Sequence, residues 1–306
     1  MRVKHLRSAA STECWLCQSA VQQEWHHPLS GLRVLLCPTC GHRTASHGTN
    51  EASVEDYHLA YDQHTFLSSL ATTRERQARE IVAALRANGM SQGLFDYGCG
   101  RAFLVKEALR VGFRGVGGGD SSPLALRCLR DLGVTALPLP TDGSLVPLSE
   151  KELGFTPKVV AFLDVIEHFE GDLLSMLRCW LHELPASVEA VVLKVPVSDG
   201  VLFRIASSLA RLGVDGPLRQ LHQVGTSPPH YQYFCRTSVR LLVRSLGMDV
   251  VQAWDDLEFE PGSLHERVAM LRTVPRPLSG ALGRALATVA TNLGRADSHV
   301  IIASRR

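Results

Sequence analysis

The sequence predicts an open, doubly wound α/β sheet preceded by a small cysteine-built module. Three observations carry this. Short apolar runs alternate with helix-compatible stretches; one run closes on Phe95-Asp96-Tyr97-Gly98-Cys99-Gly100 and the next on Asp120; and two Cys-x-x-Cys pairs stand near the N-terminus. In an open α/β sheet, ligands bind beyond the carboxyl ends of the strands, where glycines admit close backbone approach and an acid on the following strand accepts bonds from ribose hydroxyls. Asp120 stands where that acid belongs.

The cysteines come first in the chain. Cys14-x-x-Cys17 and Cys37-x-x-Cys40, separated by 19 residues, have the spacing of a ribbon whose two knuckles converge on one zinc ion. Four thiolates leave no open coordination position, so the site reads as structural. Of the eight cysteines, the remaining Cys99, Cys128, Cys179 and Cys235 are isolated and read as buried structural thiols. Residues 46–55 are polar and read as a linker, which divides the chain into a ribbon over 1–54 and a larger domain over 55–306.

A core-facing helix is expected over 65–87, where Ala78, Ile81, Val82 and Leu85 recur at helical spacing. Strand one spans 94–98, and a helix follows with Leu104, Ala108 and Val111 on one side. Strand two ends at Asp120; Ser122 then caps a helix and Pro123 takes its first position. Ala125, Cys128, Leu129 and Leu132 give that helix its apolar side. Strand three is expected at 135–139, strand four at 159–165, and a helix carrying Leu173, Leu177, Leu181 and Leu184 after it. Strand five, 190–197, is interrupted by Lys194; strands six and seven lie near 249–254 and 298–304. Strands alternating with helices in this way imply a parallel sheet with right-handed crossovers. An insertion at 199–229 carries the stripe Leu202, Ile205, Leu209 and Leu212 with Arg204, Arg211 and Arg219, and reads as a lid or wall of an acceptor pocket.

Composition narrows the setting. A chain of 306 residues with 45% hydrophobic content can bury a full core. No apolar run reaches the 18 or so residues of a membrane span, and the N-terminal Met1-Arg2-Val3-Lys4-His5 has no apolar segment behind it, so a cytoplasmic protein is expected. A formal charge of +2, with arginines scattered among acids, gives no argument for nucleic acid.

The motif Asp96-x-Gly98-x-Gly100 differs from the Gly-x-Gly-x-x-Gly of a dinucleotide site. An acid at the end of strand one suits the cationic end of S-adenosylmethionine, which has no phosphate. Here the chain resembles the class I S-adenosylmethionine-dependent methyltransferases. The run Val159-Val160-Ala161-Phe162-Leu163-Asp164-Val165-Ile166-Glu167-His168-Phe169 is similar to their fourth strand and its loop, and His230-Tyr231-Gln232-Tyr233-Phe234 precedes a helix ending in Leu246-Gly247-Met248, as is common there. The likeness covers roughly residues 55–306. It departs from the pattern at Ala102, where a glycine is usual, and in the glycine-rich strand two, Gly115-Val116-Gly117-Gly118-Gly119. The Cys-Pro-Thr-Cys-Gly-His stretch resembles the N-terminal ribbon of a bacterial methyltransferase group, some of whose members methylate sugars or other small natural products.

The resemblance implies a Rossmann-like, seven-stranded, mostly parallel sheet with an antiparallel last strand, and methyl transfer from S-adenosylmethionine. It carries cofactor binding onto Tyr61, Asp96, Gly98, Gly100, Asp120, Ser121, Asp142 and Asp164. Catalysis is expected at His168, Glu167 and His230, with His168 as the base for a hydroxyl acceptor because its ordinary pKa lies nearest neutrality. The acceptor implied is a small or medium-sized metabolite. Asp164, Glu167, His168 and His230 also resemble the Mg²⁺ or Mn²⁺ site of metal-dependent O-methyltransferases, with Asp164 in place of the usual glutamate. Two other readings stay open: modification of RNA or protein with the ribbon binding the macromolecule, and a non-catalytic protein that keeps the fold.

Overall fold

The structure is a computed structural model that describes residues 12–27, 31–46, 64–222, 229–258 and 296–305, with side chains from residue 71 onward in the first helix. Tyr61 and the proposed linker after Ser46 lie outside the described residues.

Eleven strands among the described residues form two sheets. Strands β1 (Gln22–His27), β2 (Leu32–Leu36) and β3 (Arg43–Ser46) make an antiparallel meander that carries the cysteine knuckles at its end. The larger sheet is built from β4 (Gln92–Tyr97), β5 (Arg114–Asp120), β6 (Thr135–Pro138), β7 (Val159–Leu163), β8 (Ala190–Pro196), β10 (Met248–Asp256) and β11 (Ser298–Arg305). Its order is β10-β11-β8-β7-β4-β5-β6. The strand pairs among β4 to β8 are parallel, and β11 runs antiparallel to both neighbours, as expected. It lies one place in from the edge, because the chain lays down β10 first and β11 fills the gap beside β8.

Alternation along the strands sorts side chains onto two apolar faces. Phe95, Tyr97, Val160, Phe162, Leu193 and Ile301 face a layer made by the short α4 (Glu150–Leu153), α5 (Leu173–Glu183) and α8 (Arg236–Ser245). Leu94, Val116, Val159, Ala161, Val192 and Ile302 face α1 (His64–Ala87), α2 (Phe103–Arg110) and α3 (Pro123–Asp131). Helix α3 starts as its sequence requires: the Ser122 side chain accepts from the amide of Ala125, and Pro123 occupies the first turn. The glycines of β5 admit close neighbours, since a Cβ at Gly118 would lie 3.0 Å from the carbonyl oxygen of Asp96 and 3.1 Å from the Cβ of Cys99. A glycine-rich strand is therefore what this packing accepts.

The cysteine module shares structure with the larger domain. A short strand β9 (Gln232–Tyr233), far along the chain, pairs with β3 and completes a four-stranded sheet. Cys14, Leu16, Cys37 and Cys40 join the same apolar cluster as Phe162 and Trp180. The insertion departs from expectation. Its described helices, α6 (Val201–Arg211) and α7 (Gly216–Leu221), pack through Phe203, Ala206 and Leu218 against Trp25 and Ala45 of the ribbon and Tyr233. The face that meets the ribbon is that of Phe203 and Ala206 rather than the expected stripe, of which Ile205 and Leu212 are exposed; among the described residues of 199–229, Pro229 alone lines the cavity considered next.

Candidate functional site

Strand β4 has β5 on one side and β7 on the other, so the connections leave in opposite directions and a crevice opens at the carboxyl ends. The crevice is a cavity of about 620 Å³. Asp96, Gly98, Gly100, Asp120, Ser121, Asp142, Asp164 and His168 all line it; Glu167 and His230 do not.

The wall formed by β4 and β5 is a cradle of backbone and two acids. Gly98 has φ of +77°, and a Cβ there would come within 2.5 Å of a Val165 methyl. Only glycine fits that turn. Asp120 is held by the backbone, its Oδ2 accepting from the amide of Gly100 and its Oδ1 from the amide of Ser122, both at 2.8 Å. Carboxylate oxygens have further lone pairs, so the held group can still accept from a diol. Asp96 is 3% exposed and its Oδ1 has no hydrogen-bond partner. Burial, reinforced by the charge of Asp120, pushes its carboxyl up to about 7. A cation entering the cavity would relieve that buried acid. Ala102 has φ of +58° and ψ of +34° at the start of α2, the left-handed conformation that explains why glycine is the usual residue there. Asp142, at the cavity wall, turns its Oδ1 to the amide (3.0 Å) and hydroxyl (2.6 Å) of Ser144.

The opposite wall follows β7. Asp164 also has a positive φ, +56°, a conformation that aspartate tolerates better than most residues. Its carboxylate accepts two bonds from Lys194 Nζ, at 2.7 and 2.8 Å, and pairs with Arg74. Lys194 is fully buried, also pairs with Glu258, and thus anchors a network in which Arg74 lies 3.6 Å from Glu258. Breaking a buried pair of this kind costs about 3–5 kcal/mol. The sequence showed Lys194 only as an interruption of an apolar strand; a lysine inside a run buried on both faces was the available signal of an ion-paired site.

His168 lies in the 3-10 turn Ile166–His168 that leaves β7, and its Nδ1 is 3.0 Å from the carbonyl oxygen of Pro229. A carbonyl only accepts, so Nδ1 carries the proton and Nε2 keeps its lone pair. Burial lowers the imidazole pKa, which holds the ring neutral. Glu167 is 1% exposed, its Oε2 has no partner, and burial together with Asp164 raises its pKa well above the ordinary carboxyl value. Ligand atoms of Glu167, His168 and His230 lie within 4.8 Å of one another, and the two imidazole centroids are 4.7 Å apart. Asp164, the fourth expected member, is outside that group because Lys194 and Arg74 hold it.

The cysteine quartet converges as its spacing requires. The Sγ atoms of Cys14 and Cys40 are 3.7 Å apart, and those of Cys17 and Cys37 3.4 Å. Tetrahedral zinc with bonds of about 2.3 Å would separate its sulfurs by about 3.8 Å. All four thiols fall within 4.8 Å of one another, a donor set that suits zinc.

No family model matches the sequence, and no curated protein matches it either. Solved structures do match. A chain from the complex between the Haloferax volcanii Trm112 methyltransferase activator and a candidate methyltransferase superposes with a TM-score of 0.55 at 12% identity, over 82% of this chain and 97% of that one. A magnesium protoporphyrin IX methyltransferase from Synechocystis PCC 6803, with bound S-adenosylhomocysteine, matches at a TM-score of 0.48 and 12% identity, over 85% and 90% of the two chains. The first likeness shows the fold, the seven-stranded α/β sheet of methyltransferases.

Proposed function

We propose that the protein transfers a methyl group from S-adenosylmethionine to a hydroxyl of a small or medium-sized metabolite, such as a sugar or another natural-product intermediate. One observation supports it above the others: a single cavity carries the orphaned carboxyl of Asp96 beside Asp120 and, on its β7 side, an imidazole with Nε2 left as an acceptor. The residues present fit the cofactor. Asp96 matches a cationic amino-acid end, Gly98 and Gly100 admit close approach, and Asp120 accepts from the ribose hydroxyls. When bound, S-adenosylmethionine supplies a methyl carbon already activated by a sulfonium.

What the chain must then do is align the acceptor, exclude water and remove a proton. Alignment accounts for much of the acceleration in a displacement of this type. His168 takes the proton of the acceptor hydroxyl on Nε2, and Pro229 holds the resulting imidazolium through Nδ1. The pairing of Lys194 and Arg74 with Asp164 keeps that wall near neutrality, which favours a metabolite over a polyanionic RNA strand. The test is a screen of hydroxylated metabolites with S-adenosylmethionine, reading S-adenosylhomocysteine release. Release with a hydroxyl acceptor that falls in His168→Ala supports the reading; release only with RNA or protein overturns it.

A second reading is favoured by the buried Oε2 of Glu167 beside two imidazoles. Glu167, His168 and His230 would there hold Mg²⁺ or Mn²⁺, which lowers the pKa of an acceptor oxygen. Manganese bound to the zinc-loaded chain and lost in His230→Ala would support it; no binding would leave His168 as a plain base.

A further inference from the structure

We propose that Gln232 is a positioning residue through which the cysteine ribbon holds His168 in the tautomer that faces the cavity. Gln232 is 1% exposed and every polar atom of its side chain is engaged. Its Oε1 lies 3.2 Å from the indole Nε1–H of Trp15, between the first two cysteines, and 3.0 Å from His42 Nε2, two residues past the last. Its Nε2 donates to the carbonyls of Phe169 (2.8 Å) and Gly171 (3.2 Å), directly after His168. The amide orientation follows from chemistry: an indole N–H can only donate and the two carbonyls can only accept.

The backbone repeats the connection on both sides of Gln232. Thr44 of β3 pairs with Gln232, and the amide of Ala45 donates to the carbonyl of Tyr231 at 2.8 Å. The amide of Tyr231 in turn donates to the carbonyl of Glu167 at 2.8 Å. Cys235 Sγ donates to the carbonyl of Cys40 at 3.3 Å. Residues 229–235 are thus held between the knuckles and the turn that carries His168, and Pro229 of this segment supplies the carbonyl that keeps the proton on Nδ1. A bridge anchored by two buried bonds, to His42 and Phe169, and two half-buried ones, to Trp15 and Gly171, tolerates little displacement, since a lost partner leaves a polar group of the buried Gln232 unsatisfied. The ribbon's edge therefore sets where the Pro229 carbonyl lies. The catalytic consequence rests on the role proposed for His168; the mechanical link does not.

The test uses the zinc-loaded full chain, labelled with ¹⁵N at histidine, the His168 signal being identified by its loss in His168→Gln. In the natural chain His168 should give the shifts of a single Nδ1–H tautomer. Gln232→Ala should retain one zinc per chain and bind S-adenosylhomocysteine within about twofold, while His168 shifts toward the average of two tautomers. Trp15→Phe, which removes one ribbon donor, should move the signal the same way by less, and it decides the matter if Gln232→Ala fails to fold. An unchanged His168 signal in the folded, zinc-loaded variant would overturn the proposal. A natural chain that binds no S-adenosylhomocysteine would overturn the proposed function and leave this link standing.

Discussion

The two walls of the cavity are built in opposite ways. The β4–β5 wall is local: Asp96, Gly98, Gly100, Asp120 and Ser122 lie within 27 residues, and the backbone itself holds Asp120. The β7 wall is assembled from afar, with Asp164 held by Arg74, Lys194 and, through them, Glu258, and His168 held by Pro229 and, through Gln232, by the ribbon. A local cradle depends on turn chemistry and can survive changes elsewhere, whereas the assembled wall depends on the whole fold. On the proposed function, the first wall would hold the cofactor and the second would select the acceptor.

This contrast can be broken at its distant end first. Cys37→Ala should abolish stoichiometric zinc and destabilise the protein by several kcal/mol, because ribbon and sheet share one core and metal binding is coupled to folding. Metal analysis with denaturant unfolding checks it, and an intact midpoint would show the ribbon to be an appendage. Next, His168→Ala should slow transfer by about 10²- to 10⁴-fold and leave S-adenosylhomocysteine affinity within about twofold. Equal losses of both would place His168 in the cofactor wall instead.

The local wall gives smaller effects. Asp120→Ala should weaken S-adenosylhomocysteine by about tenfold to a hundredfold, read by calorimetry. For Asp96 the direction with pH can be worked out. Its carboxyl, raised from 3.8 to about 7, holds its proton more tightly folded than unfolded, so the free protein loses stability as pH rises from about 4 to about 7. Asp96→Asn should flatten that slope and raise the melting midpoint most above pH 7, while removing the gain in S-adenosylhomocysteine affinity expected between pH 6 and 8. A slope that persists in the variant would assign it to another group. Smallest of all, Ala102→Gly should change stability by less than about 1 kcal/mol, relief at positive φ being offset by the flexibility of unfolded glycine.

How much the sequence revealed follows the same division. The strand ends of the large sheet, the capping by Ser122 and Pro123, the acids and glycines of the cradle and the cysteine quartet are encoded by neighbours in sequence, and the structure has them at the expected places. What stayed hidden depends on partners far apart. Lys194 looked like a flaw in a strand until Asp164 and Glu258 supplied its counter-charges. Gln232 looked like one polar residue in an aromatic run, because the groups that satisfy it lie about 60 and 190–217 residues away. The insertion had a readable helix but no readable address: the stripe of Leu202, Ile205, Leu209 and Leu212 reads as a pocket wall, yet Ile205 and Leu212 are exposed and the neighbouring Phe203 and Ala206 pack on Tyr233 and the ribbon.

The most direct measurement is a calorimetric titration of the zinc-loaded protein with S-adenosylhomocysteine, run beside Asp120→Ala. Saturable one-to-one binding that weakens by at least about tenfold in the variant is the predicted result. No binding to a folded, zinc-loaded chain, or binding indifferent to Asp120, would contradict the assignment of this cavity.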